Sequence, residues 1–312
     1  MKLSAALVRP SLIGVGATCA IASALLITAC GGGGGGGGTG SGSGTAATVA
    51  SALAGTPKYS QKLLLTVSGS NLDQGLAVTA TGCSGITLST SAPSVSTATT
   101  AYYQCTVSAS VGQFVVTRMS DNATLKTTTF NVLPPQVTMT VSNGAGVNGT
   151  LVVTLAPNQT PLTVDNFLAY VNARFYDGTV FHRVSPGFVI QGGGYAAPVD
   201  NANVTPKATN APIALEVGKG LTNTQWTIAM ARSADPASAT SQFFINLVDN
   251  SALLDPSTVN GAGYAVFGSV AASGATVAAI AGAPCTAIPF FLPSGECTPW
   301  PNVVITSAVQ TR

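Results

Sequence analysis

Charge is scarce in this chain: Asp, Glu, Lys and Arg together make up 7% of 312 residues, and the formal net charge is +2. Two of the twelve basic residues, Lys2 and Arg9, sit in the first ten positions; without them, ten basic residues face ten acidic ones. No basic patch stands out, which removes the electrostatic case for nucleic acid. Histidine is scarcer still, with His182 alone, and the stretch around it holds no cysteine. A zinc site needs several His or Cys ligands, so neither a metal nor any other cofactor is expected. The six cysteines include no CxxC pair, which argues against redox or metal roles. With 35 glycines and abundant Ser, Thr and Ala, the composition suits exported β-rich domains, and the length leaves room for two of them.

The first thirty residues have a basic start, an apolar stretch from Leu12, and then Ile27-Thr28-Ala29-Cys30. Small residues before a cysteine resemble a bacterial lipoprotein signal, which implies cleavage of residues 1–29 and lipid on Cys30. The alternative is an uncleaved anchor, because Ser11 to Ala29 is nearly long enough to span a bilayer. The glycine run that follows favours a processing site over a stop-transfer flank. Gly31 in the second mature position implies outer-membrane sorting, with the protein facing the periplasm. Gly31 to Gly44 is nearly all Gly and Ser and cannot bury a core, so residues 30–58 are expected to be a flexible tether.

From Tyr59 to Leu133, short strand-like runs alternate with turn residues: Lys62–Val67, Leu76–Ala80, Tyr102–Val107, Phe114–Met119 and Thr127–Val132. Their spacing predicts a small immunoglobulin-like β-sandwich over residues 59–134. With Cys19 in the leader and Cys30 lipidated, four cysteines remain. Three pairings are open; Cys83–Cys105 and Cys285–Cys297 are favoured because each pair lies within one domain.

Pro134-Pro135 is a stiff join, and a second domain is expected over residues 136–312. Gln136–Ser142 and Thr150–Leu155 read as strands. Thr163 to Arg174 reads as a helix, with Val164, Phe167, Leu168 and Val171 at i, i+3, i+4 and i+7 and Asp165 in its first turn. The stretch Phe175 to Gly194, FYDGTVFHRVSPGFVIQGGG, reads as a β-hairpin around Ser-Pro-Gly. A two-residue loop would set Arg183 opposite Ile190. A three-residue loop, Pro186-Gly187-Phe188, sets Arg183 opposite Gln191 with Phe181 and Val189 on the same face, and groups the two polar residues. His182 then points to the buried side, out of reach of a nucleophile, which excludes a hydrolase triad. What remains is an apolar surface carrying one fixed cation, Arg183, which donates hydrogen bonds but does not release its proton.

The same stretch closely resembles the signature of the cyclophilins, peptidyl-prolyl cis-trans isomerases. TIAMARSADPASATSQFFINLVDN and GYAVFGSV resemble two further blocks of that family, in the right order. The short connection from Gly194 to Ala208 looks like the bacterial periplasmic branch. The resemblance implies a mainly β chain whose C-terminal domain is a closed eight-stranded antiparallel barrel with two capping helices, the second being the Ala-rich Gly274–Gly282. It implies that Arg183 is catalytic, that Phe188, Val189, Phe244 and Leu253 hold the proline ring, and that Gln191, Gln242, Ala231 and Arg232 hold the peptide backbone. Tyr264 stands where the family often has histidine, and Leu253 where it often has tryptophan. Leu253 brings no indole N–H, so weak cyclosporin binding is expected.

On this reading the partners are proline-containing polypeptide segments, the membrane is reached only through lipid on Cys30, and the chain is a monomer. A tethered chaperone or adhesin that binds such segments without turnover is the alternative.

Overall fold

The computed structural model describes residues 45–90, 94–259, 261–288 and 290–312. The expected leader, Cys30 and the Gly/Ser run of 31–44 lie outside the described residues.

The first half of the described chain is a two-sheet sandwich of seven strands: β1 (Thr48–Ala54), β2 (Lys62–Ser70), β3 (Leu76–Thr81), β4 (Cys83–Leu88), β5 (Thr100–Val107), β6 (Val111–Arg118) and β7 (Thr124–Asn131). One sheet has the order β1-β2-β5-β4 and the other β3-β6-β7. Alternation builds the core: Leu63, Leu65 and Val67 of β2, Cys105 and Val107 of β5, and Phe114 and Val116 of β6 are all buried. Cys83 and Cys105 form a disulfide between neighbouring strands β4 and β5.

Two of these strands escape a reading by hydrophobic alternation. β4 carries Ser, Gly and Thr between its apolar positions. β1, TVASALA, lies inside the stretch expected to be a tether up to residue 58, and it pairs with β2 from Thr48↔Ser70 to Ala54↔Leu65. Its small side chains give little pattern; the backbone ladder, not side-chain burial, defines it.

The second half is a closed barrel of eight strands: β8 (Gln136–Ser142), β9 (Asn148–Leu155), β10 (Thr179–Ser185), β11 (Val189–Ala196), β12 (Thr227–Met230), β13 (Phe243–Asn246), β14 (Val266–Ser269) and β15 (Val304–Gln310). The order β10-β15-β8-β9-β14-β12-β13-β11 is closed by the antiparallel β10–β11 pairing. Aromatic rings fill it: Phe167 stands 5.0 Å from Phe267, 5.4 Å from Tyr176 and 6.1 Å from Phe243. Each fully buried ring of this kind contributes about 1.5–3 kcal/mol by leaving water.

Helix α1 (Pro161–Asn172) supplies Phe167 along the apolar stripe Val164, Phe167, Leu168 and Val171, all buried. It starts two residues earlier than the apolar period suggests, because Pro161 needs no N–H at a first helical position. Asp165 is therefore past the first turn. The exposed N–H groups of that turn are met instead by Glu216, whose carboxylate accepts from the Thr163 amide at 2.7 Å and hydroxyl at 2.8 Å. Asp165 lies on the exposed side of the helix, and partial desolvation raises its pKa. The short helix α2 (Ser251–Leu254) follows β13, and α3 (Gly274–Ala281) buries Val277 and Ile280.

Candidate active site

The β10–β11 hairpin pairs Arg183 with Gln191, Val184 with Ile190 and Ser185 with Val189, so the loop is the three-residue Pro186-Gly187-Phe188. Preceding residues depart from simple alternation. Phe181 pairs with Gly192 while Arg183 pairs with Gln191, so His182 is the extra residue of a β-bulge. The bulge puts Phe181 in the barrel core, 5.9 Å from Phe243, and not on the face of Arg183 and Val189. His182 is buried as expected, but against Tyr195 at 4.7 Å and Phe291 at 5.9 Å, in packing separate from the barrel interior. Burial and the neighbouring Arg183 charge lower its pKa to about 3, so the ring is neutral at physiological pH.

On the outer face of the barrel a cavity of about 210 Å³ is walled by Arg183, Phe188, Val189, Gln191, Ala231, Arg232, Phe244, Leu254 and Tyr264. Its floor follows from strand pairing. Gln191 lies opposite Phe244, and Phe244 opposite Ala229, so alternate residues of three adjacent strands share this face. Phe243, one position away, must point into the core. Phe244 is 5% exposed and meets the Tyr264 ring edge-on at 5.5 Å. Arg232 stacks on Tyr264, 4.6 Å from its ring centroid, and gives N–H bonds to the Gly263 and Ser233 carbonyls.

Eight of the ten residues singled out by sequence meet in this wall; Gln242 and Leu253 do not. Gln242 lies behind Gln191 and accepts its side-chain N–H at 2.9 Å. It crosses Gly194 so closely that a Cβ there would come within 2.6 Å of its side chain, which accounts for a glycine at that position. Leu253 is 64% exposed, whereas Leu254 is 9% exposed and packs with Val189, Phe244 and Val266. On a single helical turn only one of two adjacent leucines can face the strand below, and it is Leu254. Buried amides hold this wall: Asn223 donates to Asp255 at 2.8 Å, and Asn250 donates to the Phe188 carbonyl at 2.9 Å.

The guanidinium of Arg183 is oriented from two sides. Its Nη1 donates to Gln191 Oε1 at 2.9 Å, while Nε and Nη2 each donate to Glu296, both at 2.5 Å. The hydrogen bonds from Arg183 hold the Glu296 carboxyl below its ordinary pKa. Glu296 arrives 113 residues later in the chain, in a loop whose Cys297 pairs with Val184 and is joined to Cys285 by a disulfide. Nothing in local sequence points to it. Of the five N–H groups of the guanidinium, three have acceptors among the described residues, leaving one on each terminal nitrogen.

A closed antiparallel barrel whose outer face carries a small cavity, part apolar and edged by an oriented guanidinium and the Gln191 amide, defines a cyclophilin-like domain. The family of cyclophilin type peptidyl-prolyl cis-trans isomerases matches residues 136–309, over half of the chain, and the chain belongs to that family. A peptidyl-prolyl cis-trans isomerase of Acinetobacter baylyi is 51% identical over 122 residues, which cover 39% of this chain and 61% of that protein. Peptidyl-prolyl cis-trans isomerase cyp18 of Streptomyces antibioticus is 50% identical over 135 residues, covering 43% and 78%. Peptidyl-prolyl cis-trans isomerase B of Escherichia coli is 46% identical over 124 residues, covering 39% and 73%. The chain thus spans between three fifths and four fifths of these relatives, and its sandwich half lies outside the family match.

Proposed function

We propose that this chain accelerates cis–trans rotation about X-Pro bonds in exported polypeptides, with Arg183 as the donor to the twisted amide. The observation that carries the reading is the Arg183 guanidinium, held by Gln191 and Glu296 with two N–H groups left over, at the edge of a small cavity with apolar side chains on one part of its wall and polar ones on the other. At about 210 Å³ the cavity is below the roughly 300–1,000 Å³ usual for drug-sized ligands and suits a single ring. Phe188, Val189, Phe244 and Leu254 supply apolar contact for a prolyl ring, and Gln191, Ala231 and Arg232 supply polar groups for the peptide backbone.

The barrier to amide rotation is about 18–20 kcal/mol because the planar bond has partial double-bond character. Twisting breaks that resonance and returns a lone pair to the proline nitrogen. An N–H aimed at that nitrogen binds the twisted state better than either planar one, and such preferential binding lowers the barrier. Apolar walls strengthen the bond by keeping water out. No proton changes hands: Arg183 stays charged, and His182 is neutral and packed elsewhere. Because Glu296 balances the charge of Arg183, what the peptide meets is a directed donor and not a bare cation.

Placement in the bacterial envelope rests on the leader pattern, with lipid on Cys30, and is supported by the Cys83–Cys105 and Cys285–Cys297 disulfides, which persist in oxidising compartments. On this reading the protein is a monomer of the periplasmic branch, anchored to the outer membrane. Exchange NMR on a short Ala-Pro peptide with the full chain in detergent tests the activity. Line broadening that disappears in Arg183→Ala is expected, and its absence with the unmodified chain would refute the reading. Metabolic labelling with palmitate, lost in Cys30→Ala, tests the anchor.

A further inference from the structure

The isomerase reading leaves Glu296 without a task, yet its placement is the most specific feature around Arg183. The carboxylate takes the Nε–Nη2 edge of the guanidinium in a two-point pair, with side chains 11% and 23% exposed. Such fork-to-fork geometry fixes a plane, which a single hydrogen bond does not. Glu296 is absent from the cavity wall, whereas Arg183 and Gln191 both line it. The carboxylate therefore stands behind the guanidinium, away from the place a peptide would occupy.

Its own position is set by backbone. Cys297 exchanges two hydrogen bonds with Val184, at 2.8 and 3.1 Å, and the Thr298 hydroxyl donates to the His182 carbonyl at 2.7 Å. The segment 296–298 thus continues the sheet along the edge of β10 beside Arg183, and the Cys285–Cys297 disulfide closes the loop that delivers it.

We propose that Glu296 is a positioning residue for the isomerisation: it locks the plane of the Arg183 guanidinium so that the remaining N–H groups face the groove. The role rests on the isomerase reading. Without Glu296, Gln191 alone would hold Nη1, and the side chain would turn about its own torsions. Misplacing a reacting donor by an ångström can cost a hundredfold, so a partly retained orientation should cost about tenfold. A carboxylate competing with substrate for the same N–H groups would do the reverse and act as a brake.

The test uses the full chain in detergent, with Glu296→Ala and Glu296→Gln. Exchange NMR on an Ala-Pro peptide gives kcat and KM, and nitrogen-15 spectra report rotation of the Arg183 terminal nitrogens. In the unmodified chain the two Nη signals should be resolved. Glu296→Ala should merge them and lower kcat about tenfold while KM changes less than twofold. Glu296→Gln keeps the shape but offers one acceptor, and should fall between the two; if the alanine variant does not fold, this variant carries the test. Unchanged or faster turnover in a folded variant, or merged Nη signals in the unmodified chain, overturns the proposal while leaving the isomerase reading intact. No turnover in the unmodified chain overturns the isomerase reading, and this role with it.

Discussion

Cys297 and Val184 face each other across the edge of the arginine-bearing strand, each giving its amide hydrogen to the other's carbonyl, at 2.8 and 3.1 Å. That exchange turns a disulfide-closed loop of twelve residues' separation into an added piece of the barrel wall, directly beside Arg183. Bridging so short a loop is worth about 3 kcal/mol through the unfolded state. Replacing Cys285 and Cys297 with serine should lower stability to denaturant by that order, and turnover should fall as the loop carrying Glu296 loosens. Equal urea midpoints for the oxidised protein and the double variant would contradict this.

Arg183 is the next point of test. Arg183→Ala should retain the fold, since the side chain sits on the outer face, and should lose a hundredfold or more in kcat/KM, the usual cost of one lost transition-state donor. Arg183→Lys should rescue little. An ammonium brings the charge but not the planar fork that Glu296 and Gln191 grip from two sides. Activity in a proline-limited refolding assay and a far-ultraviolet spectrum of each variant decide the matter.

Two adjacent leucines separate the groove from its rim. Leu254→Ala removes buried apolar contact with Val189, Phe244 and Val266, and should cost about 2–3 kcal/mol of stability and raise KM. Leu253→Ala, on the exposed side, should stay within about 0.5 kcal/mol of the unmodified protein. Denaturant titrations of the pair read this out, and a reversed ranking would mean that Leu253 reaches the peptide.

His182 gives the pH dependence. Its folded pKa, about 3, lies below the ordinary value of 6.5 because burial disfavours the charged ring. As pH falls below about 6.5 the unfolded chain takes up a proton that the folded protein refuses, so stability drops by about 1.4 kcal/mol per pH unit until about pH 3. Between pH 7 and pH 5 the unmodified protein should therefore lose about 2 kcal/mol more than His182→Gln. Turnover should stay flat over that range, since the proposed rotation moves no proton and His182 takes no part in it. Urea unfolding of both proteins at the two pH values checks the difference, and parallel losses would refute it.

Much of the site could be read from local sequence. The turn chemistry of Ser-Pro-Gly, with two polar residues to group, is enough to set Arg183 opposite Gln191; alternation sends Phe243 and Phe244 to opposite faces, and the family resemblance assigns Phe244 to the groove. The bulge at His182 was beyond that reading. A one-residue insertion in a ladder depends on what the partner strand accommodates, here Gly192, so Phe181 went to the core against simple alternation. β1 was hidden for a different reason: its small residues carry no period, and the strand exists because β2 offers it a row of backbone partners.

By itself the sequence determined what depends on neighbours in the chain: most strand runs, the stripe of α1, the hairpin, and which cysteines share a domain. Tertiary structure alone decided which leucine of α2 faces the groove, and that Glu296, 113 residues from Arg183, grips its guanidinium. A carboxylate has no period and no turn preference to betray its partner; only closure of the barrel and the disulfide loop lying along β10 bring the two charges together.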